Sequence, residues 1–278
     1  MKHKILIADS GGTKSRWTLA DGDGTVVTTA GLNPLLTPEA DFHAAVRQML
    51  DQLPDAAGTG EVWFYGAGCG TEDVQARVTA WLRQAMPAAA IHVAGDLLGA
   101  CRASCGHTAG LVGILGTGSN LCHYDGTAID RQCPSTGYLL GDEGSGNHIG
   151  RRLLKDYLEG TMPEALHAAF AASYPMTYGE FLECLYRRPY PNRFLASFVP
   201  FAAAHRDDPY VAALVADCFD AFMAQVRRHH LPDTEPLHLV GGLTAAFPAE
   251  LRAAATRAAL SLSSLTPDPL EGMRRYHS

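Results

Sequence analysis

Apolar and polar residues alternate along this chain in short runs punctuated by glycine, with one long helical stretch in the second half. Residues 4–8 are apolar and β-prone and predict a strand. The turn Asp9-Ser10-Gly11-Gly12-Thr13-Lys14 follows, then a second predicted strand over 15–20. Asp21-Gly22-Asp23-Gly24 supplies a hairpin turn, and 25–30 a third strand. The same plan recurs later. A strand over 110–115 leads into Gly116-Thr117-Gly118-Ser119, a strand over 121–124, the hairpin pair Asp125-Gly126, and a strand over 127–131. A repeat of this size predicts two domains on one plan, 1–108 and 109–278.

Between the repeats, helical spacing over 41–53, 74–85 and 97–105 alternates with apolar strands over 62–67 and 91–94. Such alternation predicts a mixed α/β sheet flanked by helices. Residues 143–230 read as a helical region, interrupted near 189–192. A last strand over 236–240 runs into Gly241-Gly242 and a helix over 248–260. The tail, 268–278, reads as short and polar.

Composition narrows the function classes. The formal charge is −7 over 278 residues, which argues against nucleic acid as a partner, because phosphate backbones select a surplus of Lys and Arg. Seven cysteines, scattered and without a CxxC pair, read as reduced thiols of an intracellular chain. Cys101 and Cys105, four apart on a predicted helix, read as core packing rather than metal ligands. Met1-Lys2-His3-Lys4 runs straight into a strand without a leader pattern, and no stretch approaches the ~20 apolar residues of a membrane span. The expectation is a cytoplasmic protein with no membrane partner.

Two Gly-rich turns, each between strands, are the residues that suggest chemistry. Glycine permits close backbone approach and positive φ, and successive N–H groups in such turns form anion-binding nests. Two facing nests could grip one polyphosphate. Neither GxxxxGK[ST] nor a GxGxxG opening a helix occurs. Asp96, after the strand over 91–94 and before a helix, stands at a good N-cap position.

These motifs resemble a known superfamily. Ile7-Ala8-Asp9-Ser10-Gly11-Gly12-Thr13-Lys14-Ser15 is similar to the first phosphate motif of the actin, hexokinase and Hsp70 superfamily. Leu115-Gly116-Thr117-Gly118-Ser119-Asn120 resembles its second phosphate motif, and Leu239-Val240-Gly241-Gly242-Leu243 its adenosine motif. The segment Gly137-Tyr138-Leu139-Leu140-Gly141-Asp142-Glu143-Gly144-Ser145 resembles the BadF/BadG/BcrA/BcrD group, which includes N-acetylglucosamine kinases. The resemblance implies a two-domain actin-like (ribonuclease H-like) fold with an interdomain nucleotide and sugar cleft and a helical insertion. It implies ATP and Mg²⁺ as cofactors and transfer of phosphate to an amino sugar, N-acetylglucosamine giving its 6-phosphate.

The resemblance also implies roles. Asp96 is the base. Asp9 holds Mg²⁺ through water, consistent with an ion that dehydrates reluctantly. Gly11, Gly12, Thr13 and Lys14 bind the phosphates on one side, and Gly116, Thr117 and Gly118 on the other, while Gly241 and Gly242 carry the adenosine and α-phosphate. Asn33, Asp96, Ser119, Asn120, Gly137, Tyr138 and Asp142 face the sugar. Asp142 or Ser145 could instead cap the helix that follows. Ser10, where many relatives carry Gly, narrows the first turn, and Tyr138 stands where some relatives carry Trp. Homologous kinases are often dimers, so a homodimer is expected. Two alternatives compete. One is an ATPase activator of the acyl-CoA dehydratase type, which holds an iron–sulfur cluster between subunits on cysteines. The other is a non-catalytic sugar- or nucleotide-sensing protein.

Overall fold

The structure, a computed structural model, describes residues 4–278. The reading of the N-terminus as free of a leader rests in part on residues 1–3, which lie outside the described residues. Two five-stranded sheets carry the chain. The first holds β1 (Ile5–Ser10), β2 (Lys14–Leu19), β3 (Val27–Ala30), β4 (Glu61–Gly66) and β5 (Ala90–Gly95) in the order β3-β2-β1-β4-β5. The second holds β6 (Gly110–Leu115), β7 (Ser119–Tyr124), β8 (Ile129–Gln132), β9 (Leu237–Val240) and β10 (Leu262–Thr266) in the order β10-β9-β6-β7-β8. In each sheet three consecutive strands sit at one side and later strands add beyond the first of them, so the repeat seen in the hairpins is a repeat of topology.

The chain folds into two compact units. One comprises everything up to Thr108 together with Tyr124–Ile129 and Asp268–Ser278; the other comprises Ala109–His123 and Asp130–Pro267. The tail is therefore not a polar appendage of the second domain. It forms the helix Leu270–His277 within the first unit, because Leu270, Gly272 and Met273 are buried there.

Strand β1 shows why the first unit is layered. Leu6, Ile7 and Ala8 are all fully buried, as expected of a central strand covered on both faces. Leu6 and Ala8 join Phe42, Val46, Phe64 and Trp81, supplied in part by the helices Glu39–Gln52 and Glu72–Ala85. Ile7 points the other way, into a small cluster with Tyr65, Ala94, Leu270 and Met273. That second face is closed by the helix Asp96–Cys105 and the tail helix. The two helices meet through glycines. A Cβ on Gly99 would lie 2.5 Å from the Met273 Cε, and one on Gly272 would lie 2.4 Å from the Ala103 carbonyl oxygen. Cys101 and Cys105 are both buried on the helix Asp96–Cys105.

In the second unit β10 went unforeseen, since its Ser-rich run alternates weakly and none of its residues is fully buried. The helical region resolves into separate helices from Gly146–Leu158 to Pro209–Arg228, with a break before Pro191, which starts the helix Pro191–Ala196. Contrary to the reading that no stretch is that apolar, Pro209–Arg228 is long and apolar enough to cross a membrane by length and composition. Here its buried face, including Leu214, Phe219 and Phe222, packs in the core with Leu111, Leu239 and Phe247.

The tail's role in the first unit is testable. Met273→Ala is expected to lower the unfolding free energy by about 2–5 kcal/mol, the range for emptying a buried methionine site. Arg275, exposed on the same helix, should tolerate alanine within about 0.5 kcal/mol. Urea unfolding of both variants measures the contrast, and equal midpoints would show that the tail is dispensable.

Candidate active site

In the first unit the candidate residues gather where β1, β4 and β5 end. β1 runs two residues further than the pattern suggested, through Asp9 and Ser10, because these pair with Arg16 and Ser15 on β2. That leaves Gly11, Gly12 and Thr13 as the turn, closed by the Gly11 N–H donating to the Lys14 carbonyl at 3.0 Å. Neither Gly11 nor Gly12 adopts positive φ, so these glycines are not there for backbone handedness. Close approach is the reason nearby: a Cβ on Gly31 would lie 2.6 Å from the Gly12 carbonyl. Ser10 is fully buried, and its Oγ lies 2.6 Å from the Ser15 Oγ. Both hydroxyls accept from the Leu32 N–H at 3.2 Å, so Ser10 ties the turn to the following loop. Thr13 and Lys14 are exposed at the tip.

Asp9 is held by a cation that the motif did not flag. Directly across the ladder, Arg16 Nη2 donates to Asp9 Oδ2 at 2.7 Å. The same guanidinium also pairs with Asp268, brought in by the tail. Burial raises the proton affinity of Asp9, and the ion pair with Arg16 opposes it without cancelling it. A half-compensated, nearly buried carboxylate is thus the state of this group.

Asp96 opens the helix Asp96–Cys105 at the end of β5. Gly95 occupies the N-cap position, so Asp96 is a first-turn residue rather than the cap. Its Oδ1 accepts from the Leu97 N–H at 2.9 Å. Part of its surface is accessible, but dense protein around the carboxylate dominates and pushes its pKa up to about 6. The negative charge of Asp9 adds to this, and the Leu97 N–H works against it. The folding contribution of a group raised in this way is full below its unfolded value of 3.8 and is lost as pH rises through about 6. At neutral pH the fold therefore carries Asp96 as a carboxylate whose ionisation is unfavourable.

Asn33 lies in the loop tied to this turn. Its Oδ1 accepts from the Leu35 N–H at 3.0 Å and sits 2.4 Å from where a Cβ on Gly68 would be. The side chain thus has a structural task in shaping its own loop. The first unit brings Asp9, the turn, Asn33 and Asp96 to one region through the ends of β1 and β5 and the loop after β3.

In the second unit β7 begins at Ser119, two residues earlier than the pattern suggested. The turn Gly116–Gly118 closes on itself by the Gly116 N–H donating to the Gly118 carbonyl at 3.0 Å. Its carbonyls are stapled to the start of the helix Gly146–Leu158: Gly116 accepts from the Gly146 N–H at 2.8 Å and Thr117 from the Asn147 N–H at 3.0 Å. Asp142 leans over the turn, with Oδ2 2.9 Å from where a Cβ on Gly118 would stand. Glycine is required at 118 for this approach, not for positive φ.

Asp142 does not cap the helix. Ser145 does, its side chain accepting from the His148 N–H at 3.2 Å. Asp142 instead adopts a left-handed φ of 55°, which Asp tolerates better than most residues. Ser119 contributes its N–H to Asp142 Oδ1, a long contact of 3.4 Å, and its Oγ donates to the Glu143 carbonyl at 2.8 Å. His148 Nδ1 accepts from the Gly144 N–H at 3.1 Å, and burial with Arg151 and Arg152 nearby lowers its pKa to about 4, so the ring stays neutral. Asn120 Oδ1 accepts from the Leu121 N–H at 3.0 Å and from Gln132 at 3.2 Å. Gly137, at positive φ, starts the short helix Gly137–Leu140, and Tyr138 lies partly buried against the core with its carbonyl held by Arg151 at 2.7 Å.

Gly241 and Gly242 meet the turn through the sheet. β9 is parallel to β6, with Val240 opposite Ile114, so both Gly segments leave the same end of neighbouring strands. That end is where open α/β sheets bind ligands. At Gly241, φ is 117° and a Cβ would lie 2.4 Å from the Leu115 carbonyl oxygen, while Gly242 is exposed with open space around it. Sequence reasoning missed Arg16, Asp268 and Asn147. Only Arg16 left a local signal, as a charge directly opposite Asp9 in a predicted hairpin.

No protein-family model matches the chain, and no curated protein does. Solved structures do. The "Putative N-acetylglucosamine Kinase" of Porphyromonas gingivalis is 40% identical over 98% of this chain and 98% of that one, with a TM-score of 0.93. A protein of the same description from Chromobacterium violaceum is 23% identical over 99% of both chains, with a TM-score of 0.71. A ROK family glucokinase from Streptomyces griseus, in complex with glucose and AMPPNP, is 14% identical over 98% of this chain and 97% of that one, with a TM-score of 0.60. The last two share the fold; the first shares the family. The chain belongs to the N-acetylglucosamine kinase-like family, on the two-domain actin-like fold.

Proposed function

We propose that this chain transfers the γ-phosphoryl group of ATP to the 6-hydroxyl of N-acetylglucosamine in the cytoplasm, with Asp96 as the base. The observation that carries the reading is the carboxylate of Asp96, held at the end of β5 with its pKa pushed up to about 6 by burial and by Asp9. Membership of a family with a 40% identical relative described as a "Putative N-acetylglucosamine Kinase" supports an amino sugar as the substrate.

Phosphoryl transfer asks a protein for alignment and charge stabilisation rather than covalent chemistry. Asp96 accepts the proton of the sugar hydroxyl as the oxygen forms its bond to phosphorus. The bond to the bridging oxygen breaks, leaving ADP, sugar phosphate and a proton. The turns Gly11–Lys14 and Gly116–Gly118 hold the phosphates, with Gly241 and Gly242 against the nucleotide. Ser119, Asn120, Gly137, Tyr138 and Asp142, with Asn33, orient the sugar.

Among the described residues no group of three His, Cys, Asp or Glu could hold an ion alone. A metal arriving with the nucleotide fits this: Mg²⁺ keeps several waters and needs one or two carboxylates beside the phosphates. Asp9 suits that role, since Arg16 engages Oδ2 and its second oxygen adds a further acceptor. The ion would supply charge neutralisation on the phosphates.

ADP release measured over a panel of amino sugars with Mg-ATP tests the reading. N-acetylglucosamine should stimulate release strongly; indifference to every sugar would discard it. Asp96→Asn should lower kcat by at least about 10²-fold, the scale of general-base catalysis. Because the carboxylate is lost as pH falls through about 6, wild-type kcat/KM should decline on that acid side, and the residual activity of Asp96→Asn should lack that limb. Asp9→Asn should raise the Mg²⁺ concentration needed for half-maximal rate while sugar affinity measured by calorimetry without ATP stays near wild type. A parallel collapse of sugar binding would make Asp9 structural.

A further inference from the structure

Asn147 is a buried polar side chain of the second unit held by two separate partners. It is fully buried, on the first turn of the helix Gly146–Leu158. Its Nδ2 donates to two groups at once, the Thr117 carbonyl at 2.8 Å and Asp142 Oδ2 at 2.7 Å. Its backbone N–H also donates to the Thr117 carbonyl, at 3.0 Å. Its Oδ1, buried, has no hydrogen-bond partner among the described residues. A buried amide left half-satisfied is unfavourable, and helix packing alone would be served better by an apolar residue. What the amide provides is a bracket between two backbone segments that are far apart in sequence. On one side is the turn Gly116–Gly118. On the other is Asp142, in a left-handed conformation with its carboxylate against Gly118. The other direct hold on that carboxylate is the long contact from the Ser119 N–H.

We infer that Asn147 is a positioning residue, which fixes the Asp142 carboxylate against the Gly116–Gly118 turn so that the group assigned to the sugar and the turn assigned to phosphate are held as one piece. The ligand assignments rest on the function proposed above; the bracket itself does not. A free Asp142 could rotate away from the turn or turn its acceptors inward. With Nδ2 on Oδ2, the rotamer is set and the remaining acceptor capacity is directed outward.

Asn147→Asp is the discriminating variant. It keeps shape and packing but replaces the donor with an acceptor facing Asp142 Oδ2 and the Thr117 carbonyl. Asp142→Gly is the partner variant, since glycine accepts the positive φ without strain. Calorimetry with N-acetylglucosamine should show weaker binding in Asn147→Asp by about ten- to a hundredfold, the scale of a displaced positioning contact. In steady state KM for the sugar should rise by more than kcat falls. In the Asp142→Gly background, Asn147→Asp should weaken sugar binding no further, and its loss of Tm should shrink, because the two side chains are coupled. Wild-type sugar affinity in Asn147→Asp, or a Tm loss of the same size in both backgrounds, would overturn the inference. If the wild-type chain binds no amino sugar, the substrate reading falls, and the Tm cycle still decides the bracket: non-additive losses uphold it and additive losses refute it.

Discussion

Two carboxylates share the end of one sheet with a single neighbouring guanidinium, and that imbalance is the constraint on which the first unit turns. Asp9 takes the ion pair with Arg16, and Arg16 is shared with Asp268. Asp96 has no cation of its own among these contacts, only the Leu97 N–H, and so its charge is resisted by burial and by Asp9. Opposite charge nearby would have dropped its proton affinity below the ordinary carboxylate range. Its absence leaves a carboxylate whose pKa is pushed up to about 6, and in the proposed function that would place the base close to neutral pH, where proton acceptance is efficient. The architecture enforces the placement, since β1 and β5 both run parallel to β4, which lies between them, with Asp9 near the carboxyl end of β1 and Asp96 directly after that of β5.

The second unit solves a different problem, bringing backbone close to backbone. Gly118 and Gly241 each stand where a Cβ would strike a neighbour, the Asp142 carboxylate in one case and the Leu115 carbonyl in the other. Helix and sheet then hold the two Gly segments: β9 beside β6 sets Gly241, and Gly146 and Asn147 staple the Gly116–Gly118 turn. The turn's carbonyls are all engaged, and its glycines keep negative φ. The first turn is built likewise, with Gly31 lying on Gly12 and Ser10 and Ser15 gripping Leu32.

Much of this was legible because it is local. The two hairpins announce themselves through Asp-Gly turns flanked by alternating residues, and the central strands through unbroken apolar runs. Even there the strand ends were misplaced by two residues, at Ser10 and at Ser119, because a polar residue that pairs in a ladder looks like the start of a turn. Most of the candidate residues read from motifs lie at strand ends, in the turns that follow them or at helix starts, positions that spacing reveals, while Asn33 and Asp142 lie in loops. What escaped is what only the tertiary fold creates. Asp268 pairs with Arg16 across 252 residues, and the tail helix that carries it looks polar because only Leu270, Gly272 and Met273 face inward. Asn147 reads as an ordinary first-turn residue until Thr117 and Asp142 are placed on either side of it. Strand β10 lacks a buried stripe, so its identity comes from its partner β9.

Under the proposed function, activity is in tension with stability, since the carboxylate assigned to accept the proton is the one whose ionisation the fold resists. The most direct measurement is the titration of the Asp96 carboxyl carbon by NMR in the nucleotide-free protein, alongside Asp9→Asn. The midpoint is expected at about 6 in the wild type and should fall toward the ordinary carboxylate value once the Asp9 charge is removed. A wild-type midpoint near 3.8, unmoved by Asp9→Asn, would contradict it.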